Sequence, residues 1–97
     1  EKQLKHLLGY GPVAVAIDSR SPIFRHYKSG ILKAEEVGKR VNHAVTLVGY
    51  GKSKKGENFW TLKNSWGPLW GEDGYFRIEQ DKGIINAYAA AIDSATL

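Results

Sequence analysis

The chain alternates short apolar runs with polar, glycine-bearing breaks. In "EKQLKHLLGYG" (1–11), Leu4, Leu7 and Leu8 fall at i, i+3 and i+4, the spacing of one helix face. This predicts a short helix stopped at Gly9. "PVAVAID" (12–18) reads as a strand bounded by Pro12 and by the following "SRSP". Ala14 and Ala16 alternate there with Val13, Val15 and Ile17, so one side packs with bulk and the other leaves room for a close neighbour. "SPIFRHYKSG" (21–30) predicts a turn of helix with Ser21 as N-cap and Pro22 at the first helical position. Residues 31–40 read as an irregular polar connection. "VNHAVTLVGYG" (41–51) and "NFWTLKNS" (58–65) are apolar runs joined by a short polar loop, the pattern of an antiparallel hairpin. "WGPLWGEDG" (66–74) is expected to be a compact loop, and "YFRIEQ" (75–80) a further strand. "INAYAAAI" (85–92) fits strand or helix equally well by periodicity. The sum is four or five strands with an N-terminal helix, an α+β fold with a mainly antiparallel sheet.

At 97 residues the chain suffices for one small domain with a thin core, burying about 60–65 % of its unfolded surface. Eleven aromatics (three Trp, five Tyr, three Phe) supply large buried areas and argue against disorder. No run approaches the ~20 apolar residues of a membrane span, so no membrane partner is expected. The net charge of +4 is spread out except at "GKSKKGE" (51–57), which reads as a solvated loop. With no aromatic–basic motif to read bases, no nucleic-acid partner is expected. The charged opening is not a signal peptide, and the lack of any Met fits a processed chain or a fragment. There is no cysteine, so no thiol of this chain can serve as nucleophile or metal ligand. His6, His26 and His43 lack metal-ligand spacing, and no metal or cofactor is expected. His6 and His26 read as surface residues and Trp60 as core, while Trp70 is expected to pack in the glycine loop.

His43 and Asn64 sit on the two arms of the predicted hairpin, where antiparallel pairing can bring them to one face. An imidazole exchanges protons usefully when its second nitrogen is held, and an amide carbonyl can hold it without adding charge. That is the base-and-orienter part of a nucleophilic triad. Trp66 is placed to cover the pair. On these residues alone, a histidine satisfied in the core and an asparagine forming a turn explain the same pattern.

The longer pattern is more specific. "NHAVTLVGYG" followed by "FWTLKNSWGPLWGEDGYFRI" closely resembles the C-terminal half of papain-like, cathepsin-like cysteine proteases. "GPVAVAID" (11–18) and "FRHYKSGI" (24–31) resemble that family's segments in the same order. The resemblance implies that residues 1–97 form the second, right-hand lobe of the two-lobed fold, sheet-rich and barrel-like. It implies peptide-bond hydrolysis through an acyl-thioester, with His43 as base and acid, Asn64 as orienter and Trp66 as shield and leaving-group wall. Ala16, Asn42 and Ala44 would line the pocket for the substrate side chain second from the scissile bond. Two alanines there suit an apolar Leu, Val or Phe, although both also fit a plain core role. The pocket floor would come from Ala87, Tyr88 or Asp93.

The nucleophilic cysteine lies in the family's N-terminal lobe, which this sequence does not contain. The implied partners are that lobe or chain, a protein or peptide substrate, and a propeptide or protein inhibitor in the cleft. Three arrangements stay open: two associated chains from a processed zymogen, a piece of a longer protein, or a catalytically inactive relative acting as a binding or structural module. The family's second-lobe disulfide is missing too. Val37 stands at one half-cystine, and Lys82, Gly83 or Tyr88 at the other. Its loss removes about 2–4 kcal/mol of cross-link stabilisation. It also weakens the implied lysosomal, vacuolar or secreted location.

Overall fold

The computed structural model describes residues 2–38, 40 and 42–80. The segment 85–92 and positions 82, 83, 87, 88 and 93 lie outside the described residues. Helix α1 spans Lys2–Leu8 and buries Leu4 (3 % exposed), with Leu8 packed against the core. It ends just before Gly9, as expected, but the left-handed turn falls two residues later, at Gly11 (φ 131°). Bonds from Gly9 N to His6 O and from Tyr10 N to Leu7 O tighten the last turn first.

Strand β1 is Val13–Ile17, and helix α2 is the single turn Pro22–Arg25. Ser21 caps α2 as the sequence predicts, its Oγ accepting from Ile23 N at 3.1 Å. Such a cap stabilises a helix start by about 1 kcal/mol. Strands β3 (His43–Lys52) and β4 (Asn58–Lys63) form the predicted hairpin, and β5 is Tyr75–Glu79. The connection 31–40 is less irregular than its sequence suggests. It holds a two-residue strand, β2 (Ile31–Leu32), and a 3-10 turn at Ala34–Glu36. β2 runs parallel to β5, and two residues are too few to show alternation.

The five strands form one sheet in the order β1-β3-β4-β5-β2. Every pairing except β2–β5 is antiparallel, so the α+β expectation holds. Among the described residues the sheet is open, with β1 and β2 at its edges, rather than closed into a barrel. Register slips by one between Leu47↔Leu62 and Gly49↔Thr61, so Val48 bulges out of the ladder.

The core joins the bulky side of β1 (Val15, Ile17) to Val45, Leu47, Trp60, Leu62, Phe76 and Ile78, with Phe24 and Tyr27 beneath the glycine loop. Trp60, Phe24 and Phe76 are at most 1 % exposed, and burying each stabilises the fold by about 1.5–3 kcal/mol. Val37, where the sequence resemblance puts a missing half-cystine, is 3 % exposed and belongs to this core. Packing therefore occupies that position in place of a cross-link.

Gly71 and Gly56 both have left-handed backbones, at φ 63° and 87°. A Cβ on Gly71 would sit 2.6 Å from Tyr75 O, whereas one on Gly56 would meet nothing within 4 Å. Gly56→Ala should therefore lose about 1–2 kcal/mol, the left-handed cost alone. Gly71→Ala should lose clearly more in urea denaturation, and equal losses would contradict this account of the loop.

Candidate functional site

His43 opens β3 and pairs with Ile17 of β1, but pairing of β3 with β4 begins only at Thr46↔Lys63. Asn64 follows β4 directly. Extending the register sets it across from Val45, one step diagonal to His43 and on the same face. The two are diagonal neighbours rather than a directly opposed pair, and the imidazole spans the remaining distance. His43 Nε2 lies 2.8 Å from Asn64 Oδ1. The same oxygen accepts from Ser65 N–H at 2.7 Å, which fixes the orientation of the amide. A carbonyl oxygen can only accept, so Nε2 carries the proton and Nδ1 of the neutral ring keeps its lone pair. Asn64 is 4 % exposed, and its Nδ2 is buried without a partner among the described residues.

Trp66 stacks on the imidazole with centroids 5.1 Å apart and planes 30° from parallel. It is 39 % exposed, so it covers one ring face and leaves its own outer edge in solvent. Edge-on contacts to Phe24 and Trp70, both at 5.4 Å, hold the indole. Trp70 in turn donates from Nε1 to Arg25 O at 3.1 Å. The loop's far end is pinned by Glu72. Its carboxylate takes Arg77 Nε at 3.0 Å, Arg77 Nη2 at 2.8 Å and Gly30 N at 3.1 Å. The Arg77 guanidinium is the main reason the Glu72 carboxyl is held below its ordinary value.

The remaining sequence-predicted positions separate. Ala16 and Ala44 are cross-strand partners, which puts them on one face of the sheet. Ala16 is 4 % exposed, whereas Ala44 is exposed and borders a shallow depression of about 350 Å³ with Ala14, Thr46 and Lys63. Asn42 is exposed, but its side chain is engaged. Oδ1 accepts from Ser19 N at 3.0 Å and Ser19 Oγ at 3.1 Å, and Nδ2 donates to Asp18 Oδ1 at 3.3 Å. His6 and His26 are exposed, as expected. Among the described residues no group of three His, Asp or Glu is placed to hold a metal, and no helix is long and apolar enough to cross a membrane.

Sequence reasoning missed Asp18, a carboxylate 1 % exposed at the end of β1. Arg20 binds it through Nε at 2.9 Å and Nη2 at 2.7 Å, and the backbone N–H groups of Arg20 and Arg40 each add a bond at 3.0 Å. The Arg20 guanidinium above all holds the carboxyl far below the usual range, against the upward push of burial. The signal was there: an acid two residues before an arginine, where an apolar strand ends.

The arrangement is an imidazole with one nitrogen bonded to Asn64, one face covered by Trp66 and no bond to its other nitrogen among the described residues. A ring held this way has the geometry that base-and-orienter pairs of covalent hydrolases use. The comparisons name the class. Residues 1–95 match the family described as papain family cysteine protease. Germination-specific cysteine protease 1 of Arabidopsis thaliana is 48 % identical over 81 residues, covering 84 % of this chain and 21 % of that protein. The bromelain protease of Ananas comosus, solved with the E64 inhibitor, superposes with a TM-score of 0.77 at 38 % identity, covering 86 % of this chain and 38 % of that one. The ragweed cysteine protease Amb a 11 in its proform gives a TM-score of 0.80 at 35 % identity, covering 91 % and 27 %. The chain belongs to the papain family of cysteine proteases, and it spans only 21 %, 38 % and 27 % of these three relatives.

Two outcomes follow from this geometry. Nitrogen-15 spectra of the neutral His43 ring should show the Nε2–H tautomer alone, and Asn64→Ala should give a mixture. A mixture in the unmutated protein would contradict the assigned bond. Asp18 has a folded pKa below its unfolded value, so its stabilisation is present above about pH 4 and is lost as pH falls toward the depressed value. Melting temperature should therefore drop on acidification below about pH 4, less steeply in Asp18→Asn. Parallel acid limbs in the two proteins would rule out the Asp18 contribution.

Proposed function

We propose that residues 1–97 are the C-terminal lobe of a papain-like cysteine endopeptidase. The lobe supplies His43 and Asn64 to a cysteine carried upstream or by an associated chain. The observation that carries this reading is the 2.8 Å contact between His43 Nε2 and Asn64 Oδ1, which leaves Nδ1 as the working nitrogen. Nδ1 takes the thiol proton, giving an imidazolium beside a thiolate. Such a pair lowers a thiol pKa to roughly 3–4. The thiolate attacks the peptide carbonyl, and Nδ1–H protonates the departing amine as the C–N bond breaks. The thioester that remains is cleaved by water, whose proton returns to Nδ1, and the thiolate is released.

Asn64 holds the ring so that Nδ1 points outward throughout. Because its amide is neutral, the charge that forms on the ring is balanced by the thiolate rather than by the orienter. Trp66 keeps water from competing for the His43–Asn64 bond and forms the leaving-group wall. Ala44, with Ala16 and Asn42 beside it, borders the site for an apolar side chain of a protein or peptide substrate. The inhibitor complex and the proform among the relatives support a cleft that also accepts an inhibitor or a propeptide. Synthesis as a zymogen and a lysosomal, vacuolar or secreted location belong to the same reading.

The test is peptide hydrolysis by the protein carrying both lobes. His43→Ala should lower kcat/KM by about 10³-fold or more with the fold intact by circular dichroism, and Asn64→Ala should lower it less. Full activity in His43→Ala would sink the assignment. No hydrolysis by the unmutated protein would favour a binding module that has lost catalysis.

A further inference from the structure

The Asp18 carboxylate gathers donors from two places. Arg20 N, Nε and Nη2 come from the turn that leaves β1, while Arg40 N and Asn42 Nδ2 come from the segment that enters β3. Asn42 returns the connection, accepting from Ser19 N and Oγ and donating its own N–H to Ile17 O at 3.0 Å. The next residue is His43. At that point β3 has no ladder partner in β4, so among the described residues Ile17 and this clamp fix the backbone from which the imidazole hangs. Gly38 is part of the fit, because a Cβ there would lie 2.1 Å from Asp18 Oδ2.

We infer that Asp18 is a positioning residue for His43. By tying the exit of β1 to the entry of β3, it sets the distance over which His43 Nε2 must reach Asn64 Oδ1. Asn64 is held separately, by its own N–H to Gly74 O at 3.0 Å and by Ser65 N–H. When the clamp loosens, the entry of β3 moves while Asn64 stays, and the ring loses its anchor. The catalytic consequence rests on the proposed function; the effect on the ring does not.

Two variants of the protein carrying both lobes test this. Asp18→Asn keeps the shape but cannot accept on both oxygens. Gly38→Ala leaves every charge in place and displaces the carboxylate. Both should lower kcat about tenfold to a hundredfold, the scale of a small misplacement of a reacting group. The fall should be larger in kcat than the change in KM, because Asn42 couples the clamp only to the border of the substrate site. Both should also shift the His43 nitrogen-15 signals from the Nε2–H tautomer toward a mixture. If Asp18→Asn fails to fold, the partly exposed Gly38→Ala carries the test.

A loss confined to melting temperature, with kcat and the tautomer unchanged in a folded variant, overturns the inference. If the unmutated protein hydrolyses nothing but the variants still shift the His43 signals, the proposed function fails and the positioning role stands. Unchanged signals overturn the positioning role even in an active enzyme.

Discussion

The hydrogen bond from His43 to Asn64 depends on the β3–β4 register more than on either residue. Leu47↔Leu62 and Thr46↔Lys63 fix the ladder, and Asn64 falls one diagonal step from His43 because of it. A slip of one residue would turn Asn64 to the other face. The slip that does exist, the Val48 bulge, lies on the far side of Leu47 from His43 and Asn64, so their end of the hairpin keeps simple alternation. Burial of Leu47 and Leu62 enforces that register, since both are fully inside the core. The site is thus the polar end of an apolar ladder.

Around that bond the molecule spends different forces on different parts. Aromatic packing of Phe24, Trp70 and Phe76 carries Trp66 over the imidazole, with centroid distances near 5 Å that suit edge-on contact. Charge is used at the margins. Glu72 with Arg77 pins the glycine loop, and Asp18 with Arg20 pins the start of β3. Each arginine holds its carboxylate in place, and the carboxylate then collects backbone N–H groups as well, so the pair fixes the chain around it. The chain has no disulfide among its means, and Val37 shows apolar packing at a position the resemblance assigns to a cross-link.

Most of the strands were legible because Val, Ile, Phe and Trp alternate at period two over five or more residues. The cap of α2 was legible because Ser21 and Pro22 each have one physical role at a helix start. β2 was not, since its two residues gain their partner from β5, more than forty positions away. The bulge left no mark either, because Val48 is as apolar as its neighbours. For the site, composition alone could not separate a proton-moving His43 from a core histidine. The sequence motif around Asn64 and Trp66 favoured the first, and the geometry added that Nε2 is the nitrogen bonded to Asn64. Asn42 is exposed, and its side chain also grips the turn at Ser19. Only the fold could reveal that, because the two segments meet through β1–β3 pairing.

The central claim is that His43 is one half of an ion pair whose other half is a cysteine outside these residues. The direct measurement is the pH dependence of cysteine alkylation by iodoacetamide in the protein carrying both lobes. The account predicts a thiol that reacts as thiolate down to about pH 4, moving toward the ordinary thiol value of about 8.5 in His43→Gln. The same profile in both proteins, or no cysteine that reacts below neutral pH, would contradict it.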